Sequence, residues 1–192
     1  MNKPKNYIEA QTFDKLDFTK DALQQGEYET CTFSNCDFSS VDLSDFGFID
    51  CEFKDCNLSM VKLAKTAMKE VKFKACKVVG VHFGDCQEFL FAVNFENCTL
   101  NLSSFYRRKM KGTKFRQSSL QEVDFTEADL TQASFNECDL LNATFENTIL
   151  EKADLRSAFN YSIDPATNYI KKARFSKEGI AGLLDRYDIV IE

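Results

Sequence analysis

Large apolar residues recur along this chain every five positions. From Phe13 the series runs Phe18, Leu23, Tyr28, Phe33, Phe38, Leu43, Phe48, Phe53, Leu58, Leu63, Met68, Phe73, Val78 and Phe83. It slips by two residues and resumes as Leu90, Phe95, Leu100, Phe105, Met110, Phe115, Leu120, Phe125, Leu130, Phe135, Leu140, Phe145, Leu150 and Leu155. A helix needs a spacing near 3.6 and a strand a spacing of 2, so neither element accounts for the pattern. Two positions ahead of each member stands a second column, mostly small or β-branched, such as Cys36, Val61, Cys76, Ser118, Ala128 and Cys138. Between the two columns Asp or Asn is frequent, as at Asp37, Asp42, Asn57, Asp124, Asp129 and Asp139.

Segments such as Cys36-Asp37-Phe38-Ser39-Ser40 and Ala128-Asp129-Leu130-Thr131-Gln132 resemble the unit of the pentapeptide-repeat family over residues 11 to 158. The resemblance implies an all-β fold, a right-handed quadrilateral parallel β-helix with one pentapeptide per side and four per coil. Each side should then recur every twenty residues. Sorted this way, one side reads Phe13, Phe33, Phe53, Phe73, Phe95, Phe115, Phe135 and Leu155, and another Leu23, Leu43, Leu63, Phe83, Phe105, Phe125 and Phe145. Sorting by twenty purifies the columns, which a period of five alone would not do. Coils stacked at ~4.8 Å would share one continuous core, because no coil can bury its own centre. The small column must stay small, so Phe46 and Arg108, which stand in it, should distort the coil locally.

The repeat breaks twice. The slip falls in residues 84–89, read either as a bulge at a corner or as a small projecting loop for a partner. Residues 159–169, with Asp164-Pro165, fit no unit, although Ile170 and Phe175 regain the register. The solenoid is therefore expected over 11–175, behind an N-terminal tail of 1–10. In residues 176–192, Ser176 can cap a short helix through Arg186. Its apolar face carries Ile180, Leu183, Leu184 and Tyr187, and an apolar strand Ile189-Val190-Ile191 follows. Such an end can cap the core or pair with a second copy about a two-fold axis. It is similar to the tail of the Qnr-type quinolone-resistance branch of the family, which implies a homodimer joined through the C-terminus.

Composition adds constraints. Gly (7) and Pro (2) are too scarce to form the many corners, so the turns need another chemistry. The eight cysteines follow no recognisable secretory leader, which suggests reduced thiols and a cytoplasmic chain. No apolar run approaches the ~20 residues of a membrane helix. Parallel side chains on a ladder do not converge on a tetrahedral ion, so the cysteines read as apolar fillers and no cofactor or metal is expected. His82, the one histidine, stands in an outward position without a partner set by spacing, and a filled core offers no pocket for catalysis.

Charge is banded along the chain. Residues 1–55 carry 5 Lys against 12 acids, residues 56–117 carry 12 bases against 4 acids, and residues 118–164 carry 2 against 10. The basic band supplies a candidate contact patch of Lys72, Lys74, Arg107, Lys109, Lys111, Lys114 and Arg116, which can face phosphate or acidic protein or remain a solvated face. The acidic band supplies Glu122, Asp124, Glu127, Asp129, Glu137 and Asp139. A net charge of −6 disfavours direct nucleic-acid binding. Resemblance to the Qnr-like branch implies a non-enzymatic rod that binds DNA gyrase or topoisomerase IV by mimicking duplex DNA. Against that stand the basic band and the shortness of the loop at the slip. A scaffolding solenoid with an unrelated protein partner is the second reading.

Overall fold

The computed structural model describes residues 6–190. Eleven short strands form two parallel sheets. The smaller sheet stacks β1 (Asn6–Glu9), β3 (Gly26–Glu29), β5 (Gly47–Ile49) and β7 (Ala67–Lys69) in that order. The larger stacks β2 (Thr12–Asp14), β4 (Thr32–Ser34), β6 (Glu52–Lys54), β8 (Val71–Lys74), β9 (Val93–Glu96), β10 (Lys114–Arg116) and β11 (Ser134–Asn136). Phe33 pairs with Phe53 and Phe53 with Phe73, so a coil closes after twenty residues. The two remaining sides are held by single bridges in the same register, such as Asp37 to Asn57 and Asp124 to Thr144. Four sides and twenty residues per coil give the quadrilateral β-helix that the periodicity predicts.

The core is a set of ring stacks. On the first side Phe33 and Phe53 lie 4.8 Å apart at 10°, and Phe95 and Phe115 lie 5.4 Å apart at 7°. On the third side Phe83 and Phe105 stack at 4.6 Å. The two stacks meet edge to face, with Phe105 against Phe115 at 78° and Phe125 against Phe135 at 85°. Each favourable ring pair adds about 0.5–1.5 kcal/mol beyond area burial. In the small column, hydroxyls and thiols donate to carbonyls of the preceding coil, as Thr66 does to Leu43 (2.7 Å) and Cys56 to Phe33 (3.3 Å). All eight cysteines are buried free thiols, Cys86 included.

Most corners are made without glycine, Gly80 and Gly112 being the two glycines in left-handed corner positions among the described residues. The last residue of nearly every unit takes a left-handed conformation, including Ser40, Met60, Glu70, Leu102 and Glu127, with φ between 52° and 63°. Its amide donates to the next coil, as Ser40 does to Ser59 (2.8 Å). The Asp or Asn ahead of the central residue accepts the amide two positions on, at 2.8 Å from Ser39 to Asp37 and 2.9 Å from Thr126 to Asp124. These side-chain turns do the work of the missing Gly and Pro.

Several boundaries differ from the sequence-based expectation. The first coil begins at Asn6 rather than at residue 11, because Ile8 already occupies the five-residue register and pairs with Tyr28. The register holds as far as Gln87, whose amide reaches Thr66 at 2.9 Å, so the two extra residues lie within 88–91, overlapping the end of the expected 84–89 and reaching two residues beyond it. There Leu90 is expelled to 62% exposure and Phe91 takes its place inside. Residues 159–169 insert nothing, since Phe159 pairs with Asp139 and Tyr169 with Ile149 at the twenty-residue spacing. Between them the pattern is irregular, with a left-handed residue at Asn160, Tyr161 buried in place of the central position and Ile163 buried in the small column. The tail is not α-helical: two 3-10 turns, Glu178–Leu183 and Asp185–Tyr187, replace the expected helix. Gly179 and Gly182 weaken helix formation and bring the backbone against Tyr161, where a Cβ would collide. Ile189 and Val190 form no strand in the single chain, and Ile191 lies outside the described residues.

Candidate interaction surface

With the interior filled, function has to be sought on the outside of the rod. The structure divides the predicted basic patch in two. Lys72 and Lys74 on β8 and Lys114 and Arg116 on β10 share the first face, around a shallow depression of 260 Å³. Arg107 lies at the corner after the third side, and Lys109 and Lys111 lie on the fourth. Acids on neighbouring coils neutralise much of the patch. Lys74 pairs with Glu52 (2.7 Å), Arg116 with Glu96 (3.6 Å), Arg107 with Glu127 (2.6 Å) and Lys111 with Asp129 (3.4 Å). Among the described residues Lys72, Lys109 and Lys114 have no ion pair, so the first face keeps two uncommitted ammonium groups flanking Asn94.

The acidic residues form a girdle instead of a strip. Asp124 lies on the third side, Asp129 on the fourth and Asp139 on the second, while Glu122, Glu127 and Glu137 occupy corners. Each Asp is fixed by its own turn, Asp129 accepting the Thr131 amide at 3.1 Å and Asp139 the Leu141 amide at 3.2 Å. Asp139 also accepts from Gln121 (2.7 Å) and Asn160 (2.8 Å). The Arg107 guanidinium holds the Glu127 carboxyl below its usual range. Carboxylates pinned to a rigid rod present charge at fixed positions with little reorganisation.

The predicted interface residues of the tail are exposed or half-exposed in the single chain. Ile180, Tyr187 and Ile189 are 51%, 58% and 55% exposed, and Val190 is 86%. Leu183 and Leu184 are half-buried. Sequence reasoning did not identify Phe89, 71% exposed beneath the Lys69 ammonium, and read Arg108, which lies under the same bulge, only as a local distortion of the coil. Arg108 is only 4% exposed and has no carboxylate partner among the described residues. Its guanidinium donates to the carbonyls of Gly84, Cys86 and Gln87 and lies 5.1 Å from the Phe91 ring centre. A large residue in the small column, one coil from an insertion, was the signal for it.

His82 is exposed on the third side, and among the described residues no three His, Cys, Asp or Glu side chains converge as metal ligands. None of their helices is long and apolar enough to cross a membrane.

The model of the pentapeptide repeat region matches residues 27–89 and 81–155, two thirds of the chain. The chain belongs to the pentapeptide-repeat family. Its right-handed quadrilateral β-helix has solved counterparts in QnrB1, described as a plasmid-mediated fluoroquinolone resistance protein. One trypsin-treated variant of QnrB1 superimposes with a TM-score of 0.71 at 15% identity, covering 98% of this chain and 92% of that one. A second gives 0.63 at 16% identity, covering 97% and 100%, and the full-length protein gives 0.54 at 17%, covering 96% and 100%. At these identities the likeness is one of fold. No curated protein sequence matches significantly. Membership explains the uniform turns and the stacked core, which belong to the pentapeptide repeat, and leaves the departures from it as the features particular to this chain.

Proposed function

We propose that this chain is a non-enzymatic interaction rod that binds a type II topoisomerase, DNA gyrase or topoisomerase IV, in place of duplex DNA and so alters quinolone susceptibility. The observation that carries this reading is the girdle of carboxylates held by backbone turns on a rigid rod, with Asp124, Asp129 and Asp139 each fixed by the amide two residues on. A surface that grips phosphates would meet carboxylates already in place. The same fold in QnrB1, a plasmid-mediated fluoroquinolone resistance protein, supports the quinolone link. Two copies joined through Ile180, Leu183, Leu184, Tyr187, Ile189, Val190 and Ile191 would set two acidic girdles on one long axis.

Gyrase supercoiling, measured with and without the purified chain and a quinolone, tests it. Inhibition, or rescue from the drug, is expected, and a Glu122→Gln/Glu137→Gln variant should weaken the effect several-fold. Silence in both arms removes the topoisomerase reading. A scaffolding role toward an acidic protein is the second reading, favoured by the uncommitted Lys72 and Lys114 on the first face. Direct nucleic-acid binding through the basic band would show as a salt-dependent shift of bare DNA.

A further inference from the structure

At the C-terminal end of the rod a groove of 460 Å³ runs between the second face and the first 3-10 turn of the tail. Leu141, Phe159, Tyr161, Glu178, Gly179 and Asp185 line it. Leu141 and Phe159 are 44% and 48% exposed, an apolar floor left open to solvent. Arg186 pairs with Asp164 and Arg174 with Asp154, while among the described residues Glu178 and Asp185 have no ion pair, nor has Lys177 beside Glu178. No Lys or Arg stands in the lining.

A second, independent feature points to a ligand. Tyr161 is 4% exposed, and its hydroxyl has no hydrogen-bond partner among the described residues. A buried, unpaired polar group is costly, and native structures rarely leave one without a use. The phenol lies against Gly179 beside Ser176, where the backbone comes so close that a Cβ on Gly179 would collide with it. A donor entering at that edge of the groove would give the oxygen its missing partner.

We infer that this groove takes a cationic side chain, an arginine or lysine presented by a basic protein surface. The stem would lie on Leu141 and Phe159, the charge would meet Glu178 and Asp185, and one N–H would reach the Tyr161 oxygen. An ammonium or guanidinium group uses all three features together, whereas an anion or a neutral apolar group leaves one opposed or idle. The inference goes beyond the topoisomerase reading, since any basic protein surface would satisfy it.

The test titrates N-acetyl-arginine methylamide into the ¹⁵N-labelled full chain, with N-acetyl-norleucine methylamide as the neutral counterpart. The arginine probe should shift the Asn160, Gly179 and Gly182 amides. Glu178→Gln/Asp185→Asn should weaken binding tenfold or more and Tyr161→Phe several-fold, with thermal midpoints of the surface variant unchanged. Equal shifts from the norleucine probe, or none from either, would overturn the assignment. So would loss of a dimeric solution mass in Glu178→Gln/Asp185→Asn, which would make the groove a contact between copies.

Discussion

Arg108 stands in a column that elsewhere holds Thr66, Cys86, Ala128 and Thr148, and it is buried without a counter-ion among the described residues. Its donors are spent on three carbonyls of the segment leading into the bulge, so its role is to hold residues 84–91 in one shape. Replacing it with Ala should leave those carbonyls unsatisfied and lower stability by about 1–3 kcal/mol, read as a reduced urea midpoint. Gly112 isolates a different contribution. Its φ is +72° and a Cβ there would meet nothing within 4 Å, so any cost of substitution comes from the backbone alone. Gly112→Val should cost about 1–2 kcal/mol, while Gly112→Asn should cost clearly less, because Asn tolerates the left-handed region. The buried thiols set an alkaline limit. Burial pushes Cys51 and Cys138 up to about 11 and Cys86 up to about 12. Unfolded thiols ionise near 8.5, so each contribution is complete below that pH and is lost as pH rises toward 11–12. Stability should therefore fall above about pH 8.5 by up to ~1.4 kcal/mol per pH unit per thiol. Denaturation midpoints between pH 8 and 10.5 check this, and Cys51→Ala should flatten the slope.

A single coil is four short segments, none able to persist alone, and their stability comes from rings above and below. Phe115 lies between Phe95 at 5.4 Å and Phe135 at 5.0 Å. Phe115→Ala should cost about 3–5 kcal/mol, since flat, close-packed stacks have little freedom to close the cavity. This level of structure was legible in the sequence, because every coil repeats the same inward demand and errors average out. Singular places were harder to read. Leu90 and Phe91 are both large and apolar, and periodicity chose Leu90, whereas the ladder between Gln87 and Ala92 decides for Phe91. Ile8 was missed because one apolar residue before Phe13 carries no statistical weight until a partner strand is seen. In the tail, apolar spacing suggested a helix, but Gly179 and Gly182 serve an approach to Tyr161 that spacing cannot reveal. Of the interaction surface, charge sign was readable and pairing was not. Arg107 with Glu127 and Lys111 with Asp129 join residues about twenty positions apart, which matter only once the coil is closed.

At the scale of the whole molecule the rod has two unlike ends. Near the N-terminus Tyr7 and Ile8 lie on the first coil, while the far end carries Ile180, Tyr187, Ile189 and Val190 in the open. Pairing of two copies at the far end predicts a dimeric mass by sedimentation. Tyr187→Asp/Ile189→Asp should reduce it to a monomer without moving the thermal midpoint far, and a monomeric parent chain would rule the pairing out. The closure of each coil at twenty residues has a further bearing. Because Phe115 sits above Phe95 and below Phe135 in one register, the polypeptide is a ruler graduated in whole coils. Excising residues 113–132 would splice Gly112 to Ala133 at equivalent corners and shorten the ruler by about 4.8 Å. Evolution can thus adjust the distance between the two ends stepwise, by gain or loss of twenty residues, while every surviving contact keeps its neighbour.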